Sequence, residues 1–408
     1  MHQKPPVPAD EFDRVITLSD LDLDYSNLNE SFKDLVKLAA RVSGTNISLV
    51  NLIDSYTQWT ISNFGLPLEQ MPREDSVCQY TIMEEEQFEV KDLKLDQRFK
   101  DKPYVADGPK LGYYFGIPLK TKTGQNLGAL CVMDQQEKEL SPEKVELLRI
   151  IADEIVNRLM ILQVVNSLSH DLHEAREVKK RVAHDIRGPI GGIIGLADLL
   201  IRKGEKNNIE EVLEFIRMIH KSGTSLLELA DEILNTELKT SKKEEPQLRE
   251  YELNLQLFKE KLEKLYQPQA QNKEISFTVN IDPPESVAPF PKNKLLQITG
   301  NLISNAIKFT PAHGQVSVDL DLIEEEDTRI LHIQVNDSGI GLEKKQMDTI
   351  LGGQSSASTD GTGGEHGFGF GLPLVKYLVE SLEGTLDAHS VVNKGTTFDI
   401  WMPIQSNR

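Results

Sequence analysis

In the stretch "VAHDIRGPIGGIIGLADLL", residues 182–200, one histidine stands between an alanine and an aspartate, followed closely by an arginine, a proline and four glycines. A carboxylate at Asp185 can orient the imidazole of His184 or accept its proton, leaving one ring nitrogen free as a nucleophile. Arg187, three residues on, shares the helical face of His184 and suits a phosphate. Pro189 cannot donate to the carbonyl of Asp185. With interior glycine costing about 0.8–1 kcal/mol and proline about 3 kcal/mol, the helix is weakened beside the histidine. That softening leaves room for a second domain to dock.

Three further groups lie towards the other end of the chain. In "NLISNAIKFTP", Asn301, Asn305 and Lys308 step by four and three and so share one helical face, with amides suited to a hydrated magnesium ion and an ammonium suited to phosphate. In "NDSGIG", a strand ends in Asp337, a carboxylate able to accept from an amino group such as that of adenine. Gly339 and Gly341 permit close backbone approach there. In "GGEHGFGFGLPLVK", Gly367, Gly369 and Gly371 lead into a helix whose N-terminus can receive an anionic phosphate. Each pattern alone is commonplace; together, in this order, they point to a nucleotide. A GxxxxGK[ST] run is absent from the sequence, which argues against a P-loop site.

These groups need elements to hold them. After Ser141-Pro142 neither proline nor glycine occurs until Gly188, which predicts a long helix. Ile155, Leu159 and Leu162 step by four and three along it; Leu168, Leu172, Ala175, Val182 and Ile186 continue in a shifted register. His184 lies two residues from each of two seam positions and therefore faces water; an idle surface histidine is the rival explanation from position alone. Beyond "KGEKNN", Val212, Ile216, Ile219, Gly223, Leu226, Ala230 and Ile233 follow a 4-3-4-3 pattern. Two antiparallel helices with narrow apolar seams cannot cover themselves, so the expectation is a homodimer closed by a four-helix bundle. "ISLVNLID", "YYFGIPLKT" and "NLGALCVMD" read as strands of an N-terminal α+β domain. "EISFTVNI", "QVSVDLDLI", "ILHIQVND" and "TTFDIWMP", with helices at "KLLQITGNLISNAIKFT" and "GLPLVKYLVESLEG", predict a mixed sheet covered on one face by helices. The charged run "KTSKKEEPQ", 239–247, reads as a linker, and "KPPVP" opens a partly ordered lead-in.

The 408 residues carry 45 basic and 64 acidic side chains, a net charge of −19, which disfavours a nucleic-acid or anionic-membrane footprint. No apolar run reaches the length of a membrane span, and the first residues lack a secretory pattern, so a cytoplasmic location is expected. Cys78 and Cys131 have neither metal-binding spacing nor the look of a disulfide framework.

Residues 182–192 resemble the phosphoacceptor box of sensor histidine kinases. Residues 297–398 resemble the ATP-binding domain that those kinases share with the gyrase, Hsp90 and MutL ATPases: the asparagine box at Asn301, Asn305 and Lys308, the glycine boxes at Asp337–Gly341 and Gly367–Gly371, and a closing box at Lys394–Phe398. Residues 10–165, through "DSVCQYTI", "LKLDQRFKDKPYV" and "LGYYFGIPLKTKTGQNLGALCVMD", resemble the GAF sensory family. The resemblance implies an ATP and Mg²⁺ site with Asn305 on magnesium, Asn301 nearby, Lys308 on phosphate, Phe309 against the base and Asp337 on the adenine amine. Gly339, Gly341, Gly367, Gly369, Gly371, Leu372 and Thr397 surround the nucleotide in that reading, and 342–366 resembles a lid.

The fold expected is multidomain α+β: a lead-in at 1–30, a GAF-like sensor at 31–165, a coiled coil and dimeric helical hairpin at 150–240, and a Bergerat-type α/β-sandwich at 246–406. The activity implied is phosphorylation of His184 by ATP, with Asp185 and Arg187 assisting, then transfer to an aspartate of a separate response regulator. Two departures bear on this. Hydrolysing relatives place a glutamate where Asn301 stands, which favours transfer over hydrolysis; and "MDTILGGQSSAS" replaces the phenylalanine-rich box usual before the lid. A catalytically silent ligand-responsive dimeric scaffold and an ATPase of the gyrase/Hsp90 kind stand as alternatives. The signal at the sensor is left open.

Overall fold

The computed structural model describes residues 6–204, 208–237, 253–282, 287–288, 292–325, 328–343, 346–347, 361–363, 365 and 369–405. Within these, only the backbone is described at 26, 170–171, 173–185, 188, 225, 228–237, 253–254, 287–288, 292, 324–325, 328 and 404–405.

The sensor half is built on helices α1 (Glu11–Ser19) and α2 (Asn29–Ser43), strands β1 (Ile47–Ile53), β2 (Thr57–Phe64) and β3 (Gln70–Pro72), the short α3 (Cys78–Thr81), β4 (Phe88–Val90), α4 (Pro103–Ala106), β5 (Tyr113–Lys120) and β6 (Asn126–Asp134). Its sheet has the order β3-β2-β1-β6-β5-β4 and every pairing is antiparallel. All seven residues of β1 are buried, because both faces of the sheet are covered. On one face Val50, Leu52 and Phe115 meet Phe32 and Val36 of α2 and Leu148, Ile151 and Ile155 of the following helix; on the other, Leu49, Tyr114 and Cys131 meet Val77, Cys78 and Leu93.

That helix, α5 (Pro142–Lys203), runs 62 residues through Pro189 without a break. α6 (Ile209–Glu237) returns alongside it. Lys203 pairs with Glu211 at 2.9 Å and its ammonium lies 5.9 Å from the Phe215 ring centre, while a Cβ added to Gly192 would lie 3.8 Å from Ser222 Oγ. Residues 164–247 form a unit of their own. Its described apolar side chains are largely bare, Leu168 at 61% and Ile201 at 76% exposure. Among the described residues no helix is long and apolar enough to cross a membrane.

The C-terminal half continues with β7 (Leu253–Asn254), α7 (Leu255–Asn272), β8 (Ser276–Asp282), β9 (Val287–Ala288), α8 (Lys292–Phe309), β10 (Gln315–Glu325), β11 (Thr328–Asp337), α9 (Gly371–Ser381), β12 (Thr385–Val391) and β13 (Gly395–Gln405). The main sheet has the order β12-β13-β11-β10-β8, with β8 parallel to β10 and the other pairs antiparallel. Phe258 and Leu262 of α7, Leu295, Ile298 and Leu302 of α8, and Leu374 and Leu378 of α9 close over Val318, Leu320, Ile333 and Ile400. The mixed sheet with helices on one face is as the sequence predicts.

Two expectations differ from, or lie beyond, what is seen. Residues 11–28, read as part of a lead-in, are folded: α1 buries Val15 in the core of the C-terminal sandwich and Leu18 in the sensor core, which Leu21, Leu23 and Leu28 join. The proposed linker at 239–247 lies outside the described residues. Residues 1–163 and 248–408 form one compact unit, so the sensor sheet and the C-terminal sandwich are in direct contact.

Candidate active site

Helix α8 supplies the first wall. Asn301, Asn305 and Lys308 are 5%, 6% and 6% exposed, so the shared polar face is turned inward, against the amphipathic rule that puts amides and ammonium groups in water. Asn301 Nδ2 donates back to Gln297 O at 2.8 Å. Asn305 Nδ2 is buried with no hydrogen bond of acceptable geometry, an arrangement that costs about 1–3 kcal/mol unless something outside the chain accepts from it. Lys308 Nζ lies 4.6 Å from the centre of the Phe309 ring. Lys273 Nζ donates to the carbonyls of Ile307 (2.9 Å) and Lys308 (2.6 Å) at the end of α8 and pairs with Glu365 at 2.5 Å. Thr362 donates from its amide to Lys308 O (3.1 Å) and from its hydroxyl to Thr310 O (2.8 Å).

The turn after β11 forms the second wall. Ile340 N donates to Phe309 O at 3.1 Å, and a Cβ on Gly339 would lie 2.5 Å from that same oxygen, so only glycine allows the turn to close on the helix. Gly341 is left-handed, φ +67°. Asp337 Oδ1 accepts from Gly339 N (2.8 Å) and Thr396 N (3.2 Å). Burial nevertheless dominates, and pushes the Asp337 carboxyl up to about 6 against the pull of those two amides. Thr397 Oγ1 donates to Asn336 Oδ1 at 2.6 Å, fixing the neighbouring strand pair.

The third wall is the start of α9. Gly369 is left-handed, φ +80°, and Gly371 opens the helix. Leu372 is half-buried and packs against the sandwich core. A Cβ on Gly371 would lie 2.2 Å from the ring of Tyr56, a residue of the sensor half. The Tyr56 hydroxyl adjoins both the Asn305 amide and the Gly371 N–H. Loss of water around the ring raises its pKa to about 12, with Asn305 and Gly371 opposing. The turn carrying Tyr56 is held from below. Asp54 N donates to Thr57 O (2.9 Å) and Arg73 N to Tyr56 O (2.8 Å). Arg14 Nη1 donates to Ile53 O (2.6 Å) and Arg73 Nη1 to Asp54 O (3.1 Å), while buried Glu11 bridges the two guanidiniums. Burial opposes ionisation of Glu11, yet Arg14 and Arg73 outweigh it and hold the carboxyl below its usual range. Across the contact, Gln297 Nε2 donates to Asp54 (3.3 Å), Asn293 Nδ2 to Asp22 O (2.9 Å), and Lys261 pairs with Asp24 (2.7 Å).

Asn301, Asn305, Lys308, Phe309, Asp337, Gly339, Gly341, Gly369 and Gly371 are thus gathered around the C-terminal half of α8. Gly367 lies outside the described residues. His184 and Asp185 fall within α5, their side chains outside the described ones; Arg187, on the same helix, is exposed. All three belong to the separate unit of 164–247. Sequence reasoning missed Tyr56 and the Glu11–Arg14–Arg73 cluster. "DSYTQ" has no motif, and a salt-bridged Glu and Arg at i, i+3 look like any solvated helical face.

With the Tyr56 ring moved aside, the residues gathered here would fit a nucleotide with a hydrated cation on its phosphates. An amide orphaned in a buried position, oxygen- and nitrogen-bearing side chains on one helix face, and a glycine-rich helix start within reach of it are what oxygen-rich anions and their magnesium require.

Residues 291–406 match the family described as Histidine kinase-, DNA gyrase B-, and HSP90-like ATPase, residues 27–159 the GAF domain, and residues 176–241 the His Kinase A (phospho-acceptor) domain. The chain is 35% identical over 229 residues to the autoinducer 2 sensor kinase/phosphatase LuxQ of Vibrio vulnificus, covering 55% of this chain and 26% of that protein. It is 32% identical over 256 residues to the circadian input-output histidine kinase CikA of Synechococcus elongatus, covering 62% and 32%. A cyclic di-GMP phosphodiesterase of Pseudomonas aeruginosa is 37% identical over 163 residues, 40% of this chain and 28% of that one. The chain therefore spans about a third or less of the length of these relatives.

Proposed function

We propose that this chain, which by its three domains belongs to the GAF-containing sensor histidine kinases, phosphorylates itself on His184 with ATP and passes the phosphoryl group to an aspartate of a response regulator. The observation that carries this reading is the inward-turned polar face of Asn301, Asn305 and Lys308, where the end of α8, the Asp337 turn and the start of α9 meet. Asp337 would accept from the adenine amine, Phe309 would lie against the base, and Lys308 and the Gly369–Gly371 backbone would hold the phosphates. Asn305, with Asn301 beside it, would hold magnesium, which when bound spreads the charge of the transferring phosphoryl group. His184 attacks the γ-phosphorus in line; its bond to nitrogen forms as the bond to the bridging oxygen of ADP breaks, and Asp185 takes the imidazole proton. Arg187 approaches the incoming phosphoryl oxygens.

The exposed apolar side chains of α5 and α6 support a homodimer in which two hairpins cover one another. With ATP as donor, the cytoplasm is the setting this reading implies. Incubation with ATP labelled at the γ-position is the test. The expected result is acid-labile label that His184→Ala abolishes and that a receiver domain removes. Absence of label would mark a silent scaffold. Phosphate release undiminished in His184→Ala would mark a hydrolase.

A further inference from the structure

The two cysteines of the chain, both free and both buried, meet in the sensor domain at the floor of a cavity of about 300 Å³. Cys78 opens α3 and Cys131 lies within β6, where it pairs with Leu49 on one side and Gly116 on the other. Their sulfurs are 3.9 Å apart. Asn51 Nδ2 donates to both, at 3.2 Å to Cys78 and 3.3 Å to Cys131. The Thr60 hydroxyl donates to Asn51 Oδ1 at 2.8 Å, which fixes the amide with its nitrogen towards the sulfurs. The Tyr114 hydroxyl donates to Cys78 at 3.3 Å.

Two thiols serving only as small apolar side chains would need none of these donors. Here two of them, from Asn51 and Tyr114, converge on the Cys78 sulfur. Burial opposes ionisation of Cys78, but the bonds from Cys131, Tyr114, Asn51 and Ser76 outweigh it and bring the thiol down to about 7. Cys131, which shares a hydrogen bond with Cys78 and is buried as well, is held up. The added bond from the Tyr114 hydroxyl distinguishes Cys78 from its neighbour and favours the thiolate there. A disulfide bond of about 2.05 Å needs the two sulfurs to close by roughly 1.9 Å. The cavity, lined mostly by apolar side chains such as Leu66, Met71 and Met133 with Gln58 and Asp75 among the polar ones, is open to solvent and admits a small uncharged oxidant.

We infer that Cys78 and Cys131 are an oxidation site for a hydroperoxide, with Cys78 the attacking and Cys131 the resolving sulfur. The Cys78 thiolate attacks the terminal peroxide oxygen: the S–O bond forms, the O–O bond breaks, and the departing alkoxide or hydroxide takes a proton to leave as alcohol or water. Cys131 sulfur then attacks Cys78 sulfur. The S–S bond forms, the S–O bond breaks, and the hydroxide leaves as water with the Cys131 proton. In sum two thiols and one hydroperoxide give one disulfide, one alcohol and one water.

The test uses the full chain, reduced and freed of reductant, with one equivalent of hydrogen peroxide, followed by thiol titration under denaturing conditions, peptide mass mapping and circular dichroism. Both thiols should be lost together, as a Cys78–Cys131 cross-linked peptide, with the native spectrum retained and both thiols recovered by dithiothreitol. Cys131→Ser should stop at a dimedone-trapped sulfenic acid on Cys78; Cys78→Ser should keep its Cys131 thiol. Survival of both thiols, oxidation without the cross-link, a cross-link formed only after unfolding, or a dimedone adduct on Cys131 ahead of Cys78 would each overturn the inference. The wild-type cross-link and adduct order decide the matter even if a variant fails to fold.

Discussion

The Tyr56 ring of the sensor domain packs against Gly371 so closely that a single added carbon on that glycine would lie 2.2 Å from it. The hydroxyl of the same ring adjoins Asn305, so the sensor occupies space between two groups assigned above to magnesium and phosphate. A nucleotide must displace the ring to reach both. Tyr56→Ala is expected to tighten binding of a fluorescent ATP analogue about tenfold, as the fraction of chains with an open site rises. Unchanged affinity, measured by fluorescence titration against wild type, would mean that the ring and the phosphates do not compete.

Asn305 yields a prediction in which stability and binding part company. Asn305→Ala removes a buried donor that, among the described residues, has no hydrogen bond of good geometry, a shortfall of about 1–3 kcal/mol that offsets the packing lost with the amide. The melting temperature without nucleotide should stay level or rise, while the stabilisation by ATP and magnesium disappears. Calorimetry with and without nucleotide reads both.

The Asp337 carboxyl titrates near 6 in the fold against 3.8 when unperturbed, so the folded state holds its proton more tightly than the unfolded chain. Its contribution to stability is whole below the unfolded value and is lost as pH rises through about 6. An adenine amine donates to the ionised form. Nucleotide affinity should therefore strengthen as pH rises through about 6, and Asp337→Asn should flatten that dependence and cost about 2 kcal/mol of binding at neutral pH. Titration calorimetry across this range in two buffers would reveal the accompanying proton release.

Glu11 has the opposite sign. Its folded pKa is lowered by Arg14 and Arg73, so its stabilisation is present above the unfolded value and fades as pH falls through the folded one. Glu11→Gln leaves two buried guanidiniums without their shared carboxylate and should destabilise the sensor half by about 3–5 kcal/mol at neutral pH. Urea unfolding of the variant, followed at Trp59, measures this.

Strands β1, β5, β6, β8, β10, β11 and β13 and helices α5, α8 and α9 were readable because alternation and helical spacing survive in their apolar residues. β2, with "TQWTISNF", was not: it buries Thr57, Gln58 and Thr60 within the sheet, which erases the contrast on which periodicity depends. α1 was missed for a related reason, since two of its buried residues, Glu11 and Arg14, are charged. The nucleotide-side groups were legible as motifs, each local in the chain. Tyr56 was not, because its place is set by contact between domains and by an ionic cluster drawn from α1 and from Arg73 after β3.

Helix α5 runs 62 residues, roughly 90 Å by its rise, and the His184 position lies within it. Along an α-helix each residue advances the facing direction by about 100°, which sets the angular phase of every position in α5. Inserting seven residues between Gln163 and His170 restores that phase to within about 20°, whereas inserting two swings everything downstream by about 200°. The length of the insert, more than its composition, would then decide whether the histidine still faces the side from which its phosphoryl donor arrives.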